Sequence, residues 1–232
     1  MTDGTAVAQG LARVRDRIVR AAAAVGRDPA EVRLIAVSKT KPASAIREAY
    51  AAGQRDFGEN YAQELVQKAE ELADLTELRW HFIGHLQTNK ARFVVRIAHM
   101  VHTVDGPSLA RELGKRAAKE GRGDTLERLP VLVEVNVGGE PQKHGATASE
   151  LKDVLASVDA EPALVLRGLM TMPPNDLEAA RRAFEALSSL RALHGGTKRL
   201  PELSMGMSDD LEIAVACGAT LVRVGTAIFG GR

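Results

Sequence analysis

The feature that most restricts the fold is a strand-then-helix unit that recurs along the chain. Short strand-like runs fall at 32–38, 54–57, 79–83, 100–104, 130–136, 164–170, 202–205 and 221–224. Seven helical segments lie between them, at 42–52, 61–72, 88–97, 107–120, 147–158, 175–195 and 209–217. Their ends carry helix punctuation. Pro42 stands in a first turn, Gly53 follows a last one, Thr147 and Glu150 form a capping box, and Ser208 is the expected cap of the last helix. Strict alternation of this kind implies parallel strands joined by right-handed helical crossovers.

Eight such units in 232 residues fit a closed (β/α)8 TIM barrel, for which about 250 residues is usual. A doubly wound open sheet competes, but it would place a glycine-rich turn after its first strand. Ser38-Lys-Thr-Lys-Pro42 stands there instead. One further helix precedes the first strand, with Val7, Leu11, Val14, Ile18, Ala22 and Val25 on one face and Gly26 as its stop. The last strand closes near Arg232, so no ordinary eighth helix is expected and the N-terminal helix is expected to fill its place. Residues 1–232 are therefore expected to form a single barrel domain.

Composition narrows the function classes. A net charge of +1 and an aromatic content of 3% argue against a nucleic-acid surface. No apolar run reaches membrane-spanning length, and the N-terminus lacks the basic-then-apolar pattern of a secretory signal. A cytoplasmic protein is expected. Cys217 is the single cysteine, so no internal disulfide or cysteine-based zinc site exists, and it reads as a small buried hydrophobe. His81 and His85 are four residues apart but run from strand into loop, with no third ligand nearby in sequence, so no metal site is expected. His99 and His102, beside the fourth strand, read as structural.

In a barrel of this type the chemistry collects where the strands end. Lys39 and Lys41 follow the first strand. A lysine there can be desolvated into a nucleophile, although taken locally the spacing favours two solvated loop lysines. Gly58-Glu-Asn60 follows the second strand, and Ser204-Met-Gly-Met-Ser208 the seventh. Gly225 and Thr226 follow the eighth. Small residues with amides and hydroxyls after strands seven and eight suit a phosphate cradle, or else an ordinary helix cap and turn. Arg223 lies inside the apolar run Leu221-Val-Arg-Val224 and cannot shed its charge, so it either points outward to an acidic partner or faces an acceptor in the barrel mouth. A strand-end lysine, a phosphate cradle and an arginine between them would accommodate a flat aldehyde cofactor on a phosphate arm, and pyridoxal 5′-phosphate has that shape.

The same residues carry a resemblance. Ala36-Val-Ser-Lys-Thr-Lys-Pro42, Phe57-Gly-Glu-Asn-Tyr-Ala-Gln-Glu64 and His81-Phe-Ile-Gly-His-Leu-Gln-Thr-Asn-Lys90 resemble the YggS/PROSC family of pyridoxal phosphate homeostasis proteins. So do Gly168-Leu-Met-Thr-Met-Pro-Pro174, Leu203-Ser-Met-Gly-Met-Ser-Asp209 and Val222-Arg-Val-Gly-Thr-Ala-Ile-Phe-Gly230. The six motifs occur in order over nearly the whole chain. The family is in turn similar to the N-terminal barrel of alanine racemase.

The resemblance implies that Lys39, rather than Lys41, is the Schiff-base lysine. It implies that Ser204, Ser208, Gly225 and Thr226 surround the phosphate, that Arg223 meets the pyridine nitrogen, and that Asn60 lines the ring side. Lys143 and His144 lie in a segment that varies within the family and receive no assigned role. An arginine at the ring nitrogen weakens the ring as an electron sink, because it can only donate to an unprotonated nitrogen. Racemisation also needs an acid–base group on each cofactor face, and neither Tyr50 nor Tyr61 has an obvious claim to that role. The implied function is thus cofactor holding in vitamin B6 homeostasis, with PLP-dependent enzymes as clients. A small PLP-dependent enzyme acting on amino acids is the alternative. Without the racemase's second domain, a monomer is expected.

Overall fold

The computed structural model describes residues 5–140 and 143–231. Helix α1 (Ala6–Ala24) begins at Thr5, whose hydroxyl accepts from the Ala8 amide. Eight parallel strands follow: β1 (Arg33–Val37), β2 (Asp56–Glu59), β3 (Arg79–Phe82), β4 (Met100–Val104), β5 (Leu129–Glu134), β6 (Leu164–Met170), β7 (Glu202–Ser204) and β8 (Leu221–Val224). They close in sequence order, β8 returning to β1 with Ile35 opposite Arg223 and Ala36 opposite Val224. The (β/α)8 barrel is therefore the fold.

Between the strands run α2 (Ala43–Ala51), α3 (Ala62–Glu71), α4 (Ala91–Val94), α5 (Pro107–Lys119), α6 (Leu151–Asp159), α7 (Leu177–Leu193), the short α8 (Gly196–Arg199) and α9 (Leu211–Ala216), and α10 (Thr226–Phe229) follows β8. The main core lies between strands and helices. A second, small apolar cluster of Ile35, Met100, Leu132, Met170 and Leu221 draws on five strands and fills the barrel lumen. Among the described residues, no helix is long and apolar enough to cross a membrane.

Helix α1 fills the place of an eighth helix, packing on α9, α10 and α2. Leu11, Val14, Ile18 and Ala22 are buried as their spacing implies, but Val25 lies beyond the last turn and is exposed. Gly10 makes the approach possible, because a Cβ there would stand 2.6 Å from the Ile228 carbonyl oxygen. Two turns further along the same side of α1, Arg17 pairs with Glu212 at 2.7 Å and donates to the Ser208 carbonyl at 2.8 Å. The helix outside the repeat thus braces the loop after β7.

Several elements differ from the sequence expectation. Strand β2 lies at 56–59 rather than 54–57, because Gln54 serves as a brace: its side-chain amide donates to the carbonyls of Leu34 and Asp56. Asp56 and Glu59 enter the strand because each finds ionic partners there. The expected helix 88–97 is a 3-10 turn, Thr88–Lys90, followed by a single α-helical turn, because β4 must begin at Met100. The last long helix starts at Leu211 and not after a Ser208 cap. Asp210 closes that turn by accepting from the Met207 amide at 2.5 Å, which leaves Ser208 outside the helix. Helix α7 begins at Leu177 rather than at 175, capped by Asp176, which accepts from the Ala179 amide. The Thr147–Glu150 box does form, each side chain accepting from the other's amide, one turn ahead of α6.

Candidate functional site

The strand C-terminal ends enclose a cavity of about 230 Å³. Six of the seven residues singled out from the sequence line it: Lys39, Asn60, Ser208, Arg223, Gly225 and Thr226. A larger cleft of about 480 Å³ opens at the other end of the barrel, among Arg27, Arg33, Arg191 and Glu202. That end of a barrel reads as stability rather than chemistry, and the cleft gathers no nucleophile.

The segment after β1 separates the two candidate lysines. Lys39 lines the cavity, half-buried. Lys41 turns to the chain's far end, where its ammonium donates to the carbonyls of Gly230 at 3.0 Å and Gly231 at 2.8 Å. Between them Thr40 adopts a left-handed φ of 62°, a conformation uncommon for a β-branched residue. A buried ionic knot holds this turn in place. Lys68 donates to the Ser38 carbonyl at 2.6 Å and to Glu59 and Glu64 at 2.8 and 2.6 Å. Glu64 also accepts from the Thr40 amide, and Ser38 Oγ donates to Glu59 at 2.6 Å. Burial raises the Glu59 pKa, with Lys68 opposing it. Lys39 thus projects from a turn fixed on both sides.

Arg223 points inward. Its guanidinium is buried and donates to Ser204 Oγ at 2.7 Å, to the Thr171 carbonyl at 3.0 Å and to Met172 Sδ at 3.1 Å. Burial pushes its pKa down to about 10, so it stays charged at neutral pH. Buried Glu134 at the end of β5 is its largest electrostatic counterweight, ahead of Asp210. Burial first and the Asp105 carboxylate second push Glu134 up to about 7, against the pull of Arg223.

Ser204 sits one layer below the cavity, fully buried. It begins a hydrogen-bonded file that descends through the lumen: Ser204 Oγ to His102 Nδ1 at 2.9 Å, His102 Nε2 to His81 Nδ1 at 2.9 Å, and His81 Nε2 to Asp56 Oδ1 at 3.0 Å. The two ends fix the direction of every proton in it. Burial works against the Asp56 charge, but hydrogen bonds from His81 and Arg79 outweigh it and hold its pKa below the ordinary range, so Asp56 only accepts. Burial lowers both histidine pKa values, that of His102 strongly, so both rings are neutral. His81 then carries its proton on Nε2 and accepts at Nδ1 from His102 Nε2–H. His102 accepts at Nδ1 from the Ser204 hydroxyl, which accepts in turn from Arg223. The file runs one way, from guanidinium to carboxylate.

On the opposite wall, Gly206 holds a φ of 95° and leaves no room for a side chain against Ala214, which draws the loop after β7 down onto α9. Gly225 is nearly as tight against Val37. Ser208 and Thr226 bring hydroxyls to this side. Asn60 Oδ1 is buried and has no partner within the protein. The donor set therefore suits an anionic, planar aldehyde ligand: an amine on one wall, hydroxyls and a guanidinium on the others, and an amide awaiting a partner.

Sequence reasoning grouped the strand-end residues but missed what supports them. The file beneath Arg223, the Lys68 knot and the Arg17 brace join residues 4 to 195 positions apart. The only local signal was polar residues inside apolar strands, His81 and His102 among them. His81 and His85, four residues apart, go to different places, one into the lumen and the other to the exposed rim.

Comparison with known proteins places this geometry in a family. Residues 10–232 match the family model described as alanine racemase, N-terminal domain. The pyridoxal phosphate homeostasis protein of Pseudomonas aeruginosa is 50% identical, over 97% of this chain and 96% of its own length. That of Escherichia coli K12 is 47% identical over 97% of both. Among solved structures, PipY of Synechococcus elongatus with PLP bound is similar at a TM-score of 0.79 and 39% identity, over 97% of this chain and all of its own. The fold and site thus define an alanine-racemase-type barrel. Within that class, the chain belongs to the pyridoxal phosphate homeostasis protein family.

Proposed function

We propose that this chain binds pyridoxal 5′-phosphate in the strand-end cavity and serves to hold the cofactor for intracellular vitamin B6 balance. The observation that carries the reading is that Lys39, Arg223, Ser208 and Thr226 line one cavity while Lys41 is committed elsewhere. The cofactor supplies an aldehyde that condenses with a primary amine, losing water. Lys39 is the amine set to receive it. Ser208, Gly225 and Thr226 receive the phosphate arm, Arg223 donates toward the ring nitrogen, and Asn60 lines the ring. Ser204 keeps Arg223 in position from below. The PLP-bound relative supports the ligand class.

The composition of the walls supports holding rather than turnover. Arg223, with its N–H groups directed by Ser204 and Thr171, has no proton to exchange at neutral pH. The described titratable side chains of the cavity are Lys39, Asp209 and Arg223. Tyr50 pairs its hydroxyl with Glu77 at 3.4 Å, and neither tyrosine lines the cavity. The chain is read as one binding unit, a cytoplasmic monomer that releases cofactor to PLP-dependent client enzymes.

Borohydride reduction of the PLP-treated protein, followed by peptide mass mapping, tests the assignment. The pyridoxyl mass is expected on Lys39 and absent from Lys39→Ala. Its appearance on Lys41 or Lys143 would overturn the lysine. Racemisation of alanine that survives rigorous purification and vanishes in Lys39→Ala would overturn the holding function.

A further inference from the structure

We propose that His85, Asp105 and His144 form a binding site for one divalent transition-metal ion of the zinc class, on the rim beside the cofactor cavity. The residues follow β3, β4 and β5, so three separate strand ends deliver them to one place. One ligand atom from each lies within 4.8 Å of the others. The imidazoles of His85 and His144 stack, with centroids 3.6 Å apart and planes within 11°. His85 Nδ1 stands 3.4 Å from Asp105 Oδ2. That separation is long for a hydrogen bond. It matches the spacing of about 3.3 Å between two ligands that sit on one tetrahedral zinc with bonds near 2.0 Å. A metal lies in the plane of each imidazole that binds it, so sharing one ion requires His85 and His144 to rotate out of their parallel stack as the three ligand atoms close in.

The backbone holding the three groups is already fixed. Thr103 Oγ1, two residues before Asp105, donates to the carbonyl of Gly84, next to His85, at 2.7 Å. Gly84 is pressed so closely on Asn60 that a Cβ would overlap the Asn60 backbone. On the third loop, Gly145 takes a left-handed φ of 111°, and Ala146 exchanges backbone bonds with Glu134 and Asn136 at 2.8 and 2.9 Å. A site whose backbone is ordered before the ion arrives loses little conformational entropy on binding.

Two imidazoles and a carboxylate select a borderline ion over calcium or magnesium, which take oxygen-rich shells. Three protein ligands leave one tetrahedral position for water or an exogenous donor. Ile83, two residues before His85, lines the cofactor cavity, which puts that open position on the same rim.

Untagged full-length protein, stripped with chelator and dialysed, is titrated with Zn2+ by calorimetry and with Co2+ by visible absorption. One equivalent per chain is expected, with Co2+ bands of low-coordinate nitrogen–oxygen ligation. His144→Ala and Asp105→Asn are each expected to weaken Zn2+ by about a hundredfold or more, since even outer-sphere partners are worth 10–100-fold. Circular dichroism of these rim variants should match the parent. The proposal is overturned if no stoichiometric binding occurs, or if His85→Ala/His144→Ala binds as tightly as the parent. Because Zn2+ uptake is read without added cofactor, its failure leaves the pyridoxal phosphate assignment standing, and the converse also holds.

Discussion

Arg223 donates to the Ser204 hydroxyl at 2.7 Å, and this bond joins the wall of the strand-end cavity to a polar file crossing the barrel lumen. Arg223 cannot accept and Asp56 cannot donate, so every group between them has one orientation. Removing Ser204 breaks the file at its upper end. Ser204→Ala is expected to leave a guanidinium N–H and the His102 Nδ1 lone pair buried without partners, costing about 1–3 kcal/mol in urea unfolding. An unchanged midpoint and slope would show that the file carries no stability.

Acid should destabilise the same region. His81 and His102 are held neutral by burial, with folded-state pKa values below the ordinary 6.5. The unfolded chain therefore binds more protons than the native one as pH falls below about 6.5. Their contribution is complete above that value and declines below it, at up to about 1.4 kcal/mol per pH unit for each ring. Glu134 works in the opposite sense. Its raised carboxyl contributes stability that is full below about 4.5 and is lost as pH rises toward 7. Unfolding measured between pH 7.5 and 5.5 is thus expected to fall more steeply in Glu134→Gln than in the parent. A parallel or shallower fall would contradict this account.

The two lysines after β1 should separate cleanly. Lys39→Ala is expected to abolish borohydride-trapped cofactor. Lys41→Ala should retain it and lose no more than about 1.5 kcal/mol, the scale of its exposed bonds to Gly230 and Gly231. Comparing trapped cofactor and melting temperature in the two variants decides the point.

Gly10 offers a test of sign. By helix propensity alone, Gly10→Ala should stabilise α1 by up to about 1 kcal/mol. Against Ile228, 2.6 Å from the added methyl, it is expected to cost about 1–3 kcal/mol by forcing α1 off α10. It should also loosen the Arg17 hold on the Ser208 loop. A melting temperature above the parent's would refute the close approach.

The wall of the strand-end cavity was legible in the sequence because strand order in a barrel converts position along the chain into position around a rim. Lys39, Asn60, Ser208, Arg223, Gly225 and Thr226 were found that way, since each stands at or just beyond the end of a strand. Ser204 was grouped with them by the same logic, but strand alternation turns its side chain into the lumen, where it meets Arg223 and His102. Ser208 was read as a helix cap. Asp210, two residues later, stands at the N-cap position instead, and its carboxylate turns back to the Met207 amide rather than bonding the helix.

The sequence by itself determined the alternation of strands and helices, hence the barrel, and the residues that ring its mouth. Periodicity and turn chemistry are local, and they survive without knowledge of what lies across the fold. Only the tertiary structure decided that Lys41 belongs to the chain terminus, that Arg223 faces inward over a one-way file, and that His85 meets His144 rather than His81. Those outcomes depend on hydrogen bonds and stacking between residues up to 190 positions apart, which no local pattern encodes.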